Sequence, residues 1–196
     1  LCTGVGIPAE ELPFVGELVE VGDDHAEWRG AAERLLRGFS LSLLVPQRHY
    51  AAVAAWVNAQ HLGARLVYHR VPERVVRSRP SRDADGPRLL DVLEVEQGPF
   101  ADYVTNELGH RADHVCVGSA EELRHHRRAI TREGQIRSGE RHEKDDRSRV
   151  DDARRWVLGR SNERKVAALT GVHGDLDTEL ERVEARRAEL GTRREA

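Results

Sequence analysis

One short segment of the chain concentrates side chains that could bind a metal ion. Its six residues are His142, Glu143, Lys144, Asp145, Asp146 and Arg147. Three carboxylates and an imidazole this close together could serve a hard divalent cation, which prefers oxygen ligands. Cations stand among these acids, however, and a salt-bridge network that neutralises itself is the commoner use of such a cluster. We therefore predict a structural charge cluster, with a metal-dependent enzyme as the alternative.

A second segment, residues 124–141, is rich in arginine and could contact the phosphates of DNA. Such contacts are charge-assisted, and they weaken steeply as salt is added. A solvated helix face is the other interpretation of the same pattern. The candidate DNA-contacting residues are Arg124, Arg127, Arg128 and Arg132. Because the net charge of the chain is −3, any DNA contact is expected to be local.

The sequence lacks the motifs of nucleotide and nucleophile chemistry. A phosphate-binding loop needs a lysine that follows glycine, and neither Lys144 nor Lys165, the only lysines, does so. No Gly-x-Ser-x-Gly motif is present. Cys2 and Cys116 suggest neither a disulfide framework nor a zinc site. We expect a chain that is not an enzyme and has no catalytic residue, bound cofactor or metal.

The strands and helices that position these residues can be predicted from the spacing of apolar residues along the chain. Alternation and short apolar runs predict strands, and apolar residues three or four apart predict helices. Predicted strands are 16–21, 41–45, 65–69, 92–96, 115–117 and 156–159; predicted helices are 28–37, 50–57, 100–108 and one that begins at Glu121. Residues 72–88 are predicted to be a loop, and 129–144 a hairpin or ordered loop. This order of strands and helices indicates an α/β domain with crossover connections.

The helix predicted over 28–37 is amphipathic. Its apolar face would carry Trp28, Ala31, Ala32, Leu35 and Leu36. The charged face, predicted to point to solvent, would carry Arg29, Glu33, Arg34 and Arg37. Gly38 stands where a helix C-cap is expected.

The end of the chain carries a heptad seam. Apolar positions recur at alternating spacings of three and four residues, which is typical of a coiled coil. The seam residues are Val166, Leu169, Leu176, Leu180, Val183 and Leu190. His173 and Arg187 interrupt the seam, and an amphipathic helix packed back on the domain is the alternative. We predict a globular domain over 1–160 and the start of a coiled-coil arm over 161–196.

The amino-acid composition is consistent with a chain of which one segment is elongated and exposed to solvent. Charged residues make up 33% of the chain and aromatic residues only 5%. No apolar run approaches the length of a membrane span, so no membrane contact is expected. Few cysteines and no signal peptide predict a cytoplasmic protein. The chain begins at Leu1 and contains no methionine, so we expect a piece excised from a longer protein.

Three segments resemble the middle region of the JetC family, the SMC-like subunit of the Wadjet anti-plasmid system, which is related to MukB-type condensins. They are residues 13–21 leading into 27–31, residues 43–46 leading into 66–68, and residues 131–136 continuing through 142–147 to 157–159. The last segment is the most distinctive, since His-Glu-Lys-Asp-Asp-Arg is followed by Val-Leu-Gly and a heptad helix. Arg137 departs from the family pattern where lysine is expected, and Asp102 and Tyr103 where tryptophan is common.

This resemblance implies an SMC-hinge-like globular domain with a mixed sheet, followed by a C-terminal coiled-coil helix. It implies a homodimer joined through the hinge, and a parent ATPase whose head, absent here, would bind ATP and Mg²⁺. It further implies kleisin-like, winged-helix and Toprim nuclease partners in a complex that extrudes and cuts plasmid DNA. A stand-alone DNA-binding module remains the second alternative.

Overall fold

The computed structural model describes residues 1–76, 86–159 and 163–195. The chain divides into two compact units. The first comprises Leu1–Asp152 and Val157–Arg160, and the second comprises Ala153–Trp156 and Ser161–Ala196. No helix in the described ranges is both long and apolar enough to cross a membrane.

Short strands and helices alternate along the first unit. In its first half they are α1 (Cys2–Val5), β1 (Val19–Val21), α2 (Arg29–Ser40), β2 (Leu43–Pro46), α3 (Tyr50–Ala59) and β3 (Tyr68–Val71). In its second half they are β4 (Leu93–Val95), α4 (Ala101–Arg111), β5 (Val115–Val117), β6 (Arg128–Thr131), β7 (Gln135–Ser138) and β8 (Arg141–Lys144). The second unit is dominated by one long helix, α5 (Glu163–Glu195).

The strands form three small sheets. β2 and β3 are parallel and are connected through α3, which confirms one of the crossovers predicted from the sequence. The crossover expected from β1 through α2 to β2 does not form, because β1 and β2 lie in different sheets. β1 pairs with β4 in an antiparallel sheet of its own. β5 and β6 are parallel, and β6, β7 and β8 follow as an antiparallel meander. The α/β class with mixed strand directions and a C-terminal helix is therefore confirmed.

The main core of the first unit lies where helices α2 and α4 pack against the strands. Val15, Val19, Leu44, Val104 and Ile130 are fully buried in it. A smaller core joins Ile7, Leu12, Leu43, Val45 and Val53, beside α1 and α3. The two buried residues of β1, Val19 and Val21, flank a half-buried Glu20, as period-two alternation predicts.

Three sequence-based predictions of secondary structure were wrong by more than the end residues of an element. The helix expected from Glu121 is only a 3₁₀ turn, Glu122–His125, because β6 begins at Arg128 and pairs with β5. The strand expected over 156–159 does not form in the described structure, because the N–H groups of Val157 and Leu158 donate to the side chain of Glu33 rather than to a neighbouring strand. Helix α2 continues past Gly38 to Ser40, so Gly38 is not the C-cap.

Candidate functional site

The four candidate DNA-contacting arginines lie on a turn and a strand rather than on one helix face. Arg124 forms an ion pair with Glu121, with nitrogen and oxygen 2.6 Å apart. Arg128 donates to the carbonyl oxygen of His110 at 2.6 Å. Arg127 is exposed.

Arg132, the fourth of these arginines, lies beside α2. Its guanidinium is 5.4 Å from the ring centre of Trp28 and 3.7 Å from the carboxylate of Glu27. Three of the four arginines thus have partners within the chain, and DNA contact at these residues stays a prediction.

The charge cluster of residues 142–147 occupies β8 and the loop that follows. Arg147 forms a bidentate ion pair with Asp145, at 2.7 and 2.9 Å. These hydrogen bonds, with one from the Arg147 backbone, hold the pKa of Asp145 well below its usual range. Lys144 lies 3.4 Å from Asp146, which is also 3.6 Å from Arg34.

The remaining charged side chains of β8 point to solvent. Glu143 pairs with Arg141, while His142 is exposed. Within the described ranges, no three His, Cys, Asp or Glu side chains are grouped closely enough to hold a metal ion. A role for this cluster in stability is consistent with these ion pairs and stays a prediction.

Among the described side chains, the most buried Asp, Glu, Lys and Arg residues are two that the sequence analysis placed on an exposed helix face. Arg29 and Glu33 are each only 5% exposed. They lie one helical turn apart on α2, with Arg29 Nε 3.2 Å from Glu33 Oε1. Arg29 also donates to Glu20 on β1 and to the carbonyl oxygen of Leu158.

Glu33 accepts two backbone hydrogen bonds from the end of the first unit. The N–H groups of Val157 and Leu158 donate to its carboxylate at 2.7 and 3.0 Å. Burial raises the pKa of Glu33, and the hydrogen bonds from Val157, Leu158 and Arg29 oppose that shift. We call Glu20, Arg29 and Glu33, with the backbone of Val157 and Leu158, the Arg29–Glu33 clasp.

Glycines allow the clasp to close. The N–H of Gly159 donates to the carbonyl oxygen of Gly16 at 2.8 Å. A Cβ atom added to Gly16 would overlap the carbonyl oxygen of Val157, and one added to Gly30 would overlap that of Val150. Gly159 has a φ of 116°, a conformation that favours glycine. Gly30, inside predicted helix 28–37, is a sequence signal of close packing against that helix, because glycine weakens a helix unless packing needs it.

The open sheet edges differ in chemistry. β8 borders the four-stranded sheet with Arg141, Glu143 and Lys144, whose side chains are 74%, 42% and 46% exposed. Charged residues on an edge strand oppose further pairing. β3 pairs only with β2 among the described strands. The N–H of Leu43 bonds the carbonyl oxygen of Val67, so in this parallel register the backbone of Tyr68 and Arg70 faces outward.

Helix α5 presents the predicted seam as an exposed stripe. Val166, Leu169, Leu176, Leu180 and Val183 are between 47% and 65% exposed. Leu190 lies outside the residues whose side chains are described. Exposed apolar side chains at heptad spacing are typical of a helix whose coiled-coil partner is a different segment or chain.

No protein-family model and no curated protein matches the sequence. The fold, however, is similar to solved SMC hinge domains. The Pyrococcus furiosus SMC hinge domain has a TM-score of 0.52 and 22% identity, over 73% of this chain and 75% of that one. An asymmetric dimer of the Geobacillus stearothermophilus SMC hinge domain has a TM-score of 0.51 and 17% identity, over 92% and 76%. A structure of the folded elbow of cohesin has a TM-score of 0.52 and 18% identity, over 95% of this chain and 28% of that one.

Proposed function

We propose that this chain is the dimerisation hinge of a JetC-like SMC ATPase that acts in DNA loop extrusion and in defence against plasmid DNA. The observation that carries the proposal is the likeness of its fold to SMC hinge domains. The resemblance of residues 131–159 to the JetC family supports the finer assignment. In the parent protein, ATP and Mg²⁺ would be bound by a head that lies outside this chain.

The exposed stripe of α5 supports a hinge with an arm. Five apolar side chains at heptad spacing lie exposed along the helix. From Val166 to Val183 the seam spans only about five helical turns and is interrupted at His173, so we expect it to associate weakly by itself. We therefore expect the seam to pair with another arm of the parent protein, and the homodimer contact to lie in the globular unit.

The outer edge of β3 is the part of the globular unit that we expect in this contact. The backbone groups of Tyr68 and Arg70 face away from β2 and offer the donors and acceptors that strand pairing uses. The charged edge of β8 is poorly suited to the same role. A two-fold dimer would then extend the sheet of β2 and β3.

Light scattering coupled to size-exclusion chromatography tests the proposal. The full chain is expected to be a dimer. Arg70→Pro removes one outward N–H and should give a monomer, whereas the matched control Arg70→Ala keeps that N–H and should stay dimeric. The double variant Leu176→Glu, Leu180→Glu disrupts the seam of α5 and should also stay dimeric.

A monomeric full chain would refute dimerisation through this domain. A seam variant that becomes monomeric while Arg70→Pro stays dimeric would assign the contact to α5 and remove the main support for a hinge. Dimers in every variant would place the contact elsewhere in the globular unit. No observation favours either alternative, a stand-alone DNA-binding module or a metal-dependent enzyme. Most of the candidate DNA-contacting arginines and most carboxylates of the charge cluster already have partners within the chain.

A further inference from the structure

A cavity of about 410 Å³ opens at the carboxyl ends of the parallel strands β2 and β3. Pro46 ends β2 and Val71 ends β3, and both line it. Phe100, just before α4, lines it from the other side. In α/β folds a crevice at the carboxyl ends of parallel strands is the usual place for a ligand, and this volume falls in the range of small-molecule and side-chain pockets.

The floor of the cavity is apolar and pre-formed. Val71 and Phe100 are buried, at 6% and 7% exposure. Pro46, Pro72 and Pro99 form the walls. Proline fixes its own backbone angle and loses little side-chain freedom, so a ligand would order these walls at small cost. An apolar stem is the part of a ligand that fits here.

The rim of the cavity is acidic. It carries the carboxylates of Glu10, Glu11 and Glu73 against the single guanidinium of Arg48. Hydrogen bonds from His49 and Arg48 lower the pKa of Glu11, so that this carboxylate is ionised and already paired. Glu10 and Glu73 are exposed, and within the described part of the chain neither has an ion pair.

We propose that this cavity binds an arginine side chain from a basic segment of a partner protein. The aliphatic stem would lie on Val71 and Phe100, and the guanidinium would reach the carboxylates of Glu10 and Glu73. A guanidinium suits the site better than an ammonium because it is planar, weakly hydrated and able to bond carboxylates in pairs. The acidic rim excludes phosphate groups, so nucleic acid does not fit this cavity. The proposal does not require the dimer contact proposed at β3, although Val71, the last residue of that strand, lines the cavity.

This proposal can be tested by titrating the ¹⁵N-labelled full chain with a short peptide and monitoring binding by NMR. The probe is acetyl-Gly-Arg-Gly-Arg-Gly-amide, and its control replaces each arginine with citrulline, which keeps the shape and removes the charge. The arginine peptide should shift the amide signals of Val71, Glu73 and Phe100, and its affinity should fall as salt is added. The citrulline peptide should bind at least about tenfold more weakly, because charge-assisted hydrogen bonds are lost.

Variants of the rim locate the binding. Glu10→Gln and Glu73→Gln should each weaken the arginine peptide severalfold, and the double variant about tenfold or more. The control Glu133→Gln removes an exposed carboxylate in the β6–β7 turn and should leave the affinity unchanged. Equal binding of the two peptides, or unchanged affinity in the double variant, would overturn the proposal. Light scattering on the same samples shows separately whether dimerisation is intact.

Discussion

At the scale of single residues, two oppositely charged side chains of α2 lie almost entirely out of contact with solvent. Arg29 and Glu33 are buried as an ion pair whose remaining hydrogen-bonding capacity is used by Glu20, Val157 and Leu158. A buried pair of this kind contributes little when intact, but removing Glu33 takes away the acceptor of two backbone N–H groups and one of the two carboxylates bonded to Arg29. The clasp therefore makes the fold sensitive to either residue.

Glu33→Gln should destabilise the domain strongly. The amide keeps the shape of the side chain, but it removes the negative charge beside Arg29 and sets an NH₂ group near backbone donors. We expect a loss of about 3 kcal/mol in the free energy of unfolding, measured by urea denaturation. Glu133→Gln, an exposed control, should change the unfolding free energy by less than about 0.5 kcal/mol. Equal midpoints for the two variants would show that the clasp contributes little.

His114 gives the fold a pH dependence. It is 2% exposed, and its Nε2 lies 2.9 Å from Ser138 Oγ. Burial, aided by the charge of Arg128, lowers the pKa of His114 to about 4 from its ordinary value of 6.5. Because the unfolded chain takes up a proton at higher pH than the folded one, stability is full above about pH 6.5 and falls as the pH drops towards 4.

Urea denaturation at several pH values should show this loss, which reaches about 3 kcal/mol for a shift of this size. The variant His114→Gln cannot titrate at this position and keeps a polar group for Ser138. Its unfolding free energy should therefore change less between pH 7 and pH 4 than that of the unaltered chain. If the unfolding free energies of the variant and of the unaltered chain change equally with pH, titratable groups other than His114 cause the pH dependence.

At the scale of elements, helix α2 offers a matched test of close packing. A Cβ atom at Gly30 would overlap the backbone of Val150, whereas one at Gly38 would meet nothing within 4 Å. Alanine favours a helix over glycine by about 1 kcal/mol. Gly38→Ala should therefore raise the melting temperature and Gly30→Ala should lower it, as measured by circular dichroism. A rise in both variants would show that residues near Val150 move away easily.

Most elements could be predicted from the sequence, because their hydrophobic periods are local. Strand β5 has the predicted bounds, and helices α3 and α4 differ from prediction only at their ends. The burial of Arg29 and Glu33 could not be predicted, since the backbone groups of Val157 and Leu158 that cover them lie more than 120 residues away. The turn at Glu122–His125 was missed because pairing of β6 with β5 overrides local helix preference.

At the scale of the whole molecule, the likeness to known folds is visible in the backbone rather than in the residues. The solved hinge domains share between 17% and 22% of residues with this chain, while the fold extends over most of its length. The arginine-binding cavity had no counterpart in the sequence analysis. Its walls come from four segments spread over residues 10–100, and only the fold brings them together.

The Arg29–Glu33 clasp also sets an order of events during synthesis. Glu33 is separated from Val157 by 124 residues, so α2 leaves the ribosome long before its partners exist. At about 5–20 residues per second, that interval lasts roughly 6–25 seconds. Until residues 157 and 158 emerge, the carboxylate of Glu33 lacks its two backbone donors, and water must take their place. The part of α2 around Glu33 therefore stays hydrated in the nascent domain until the residues just before α5 have been made.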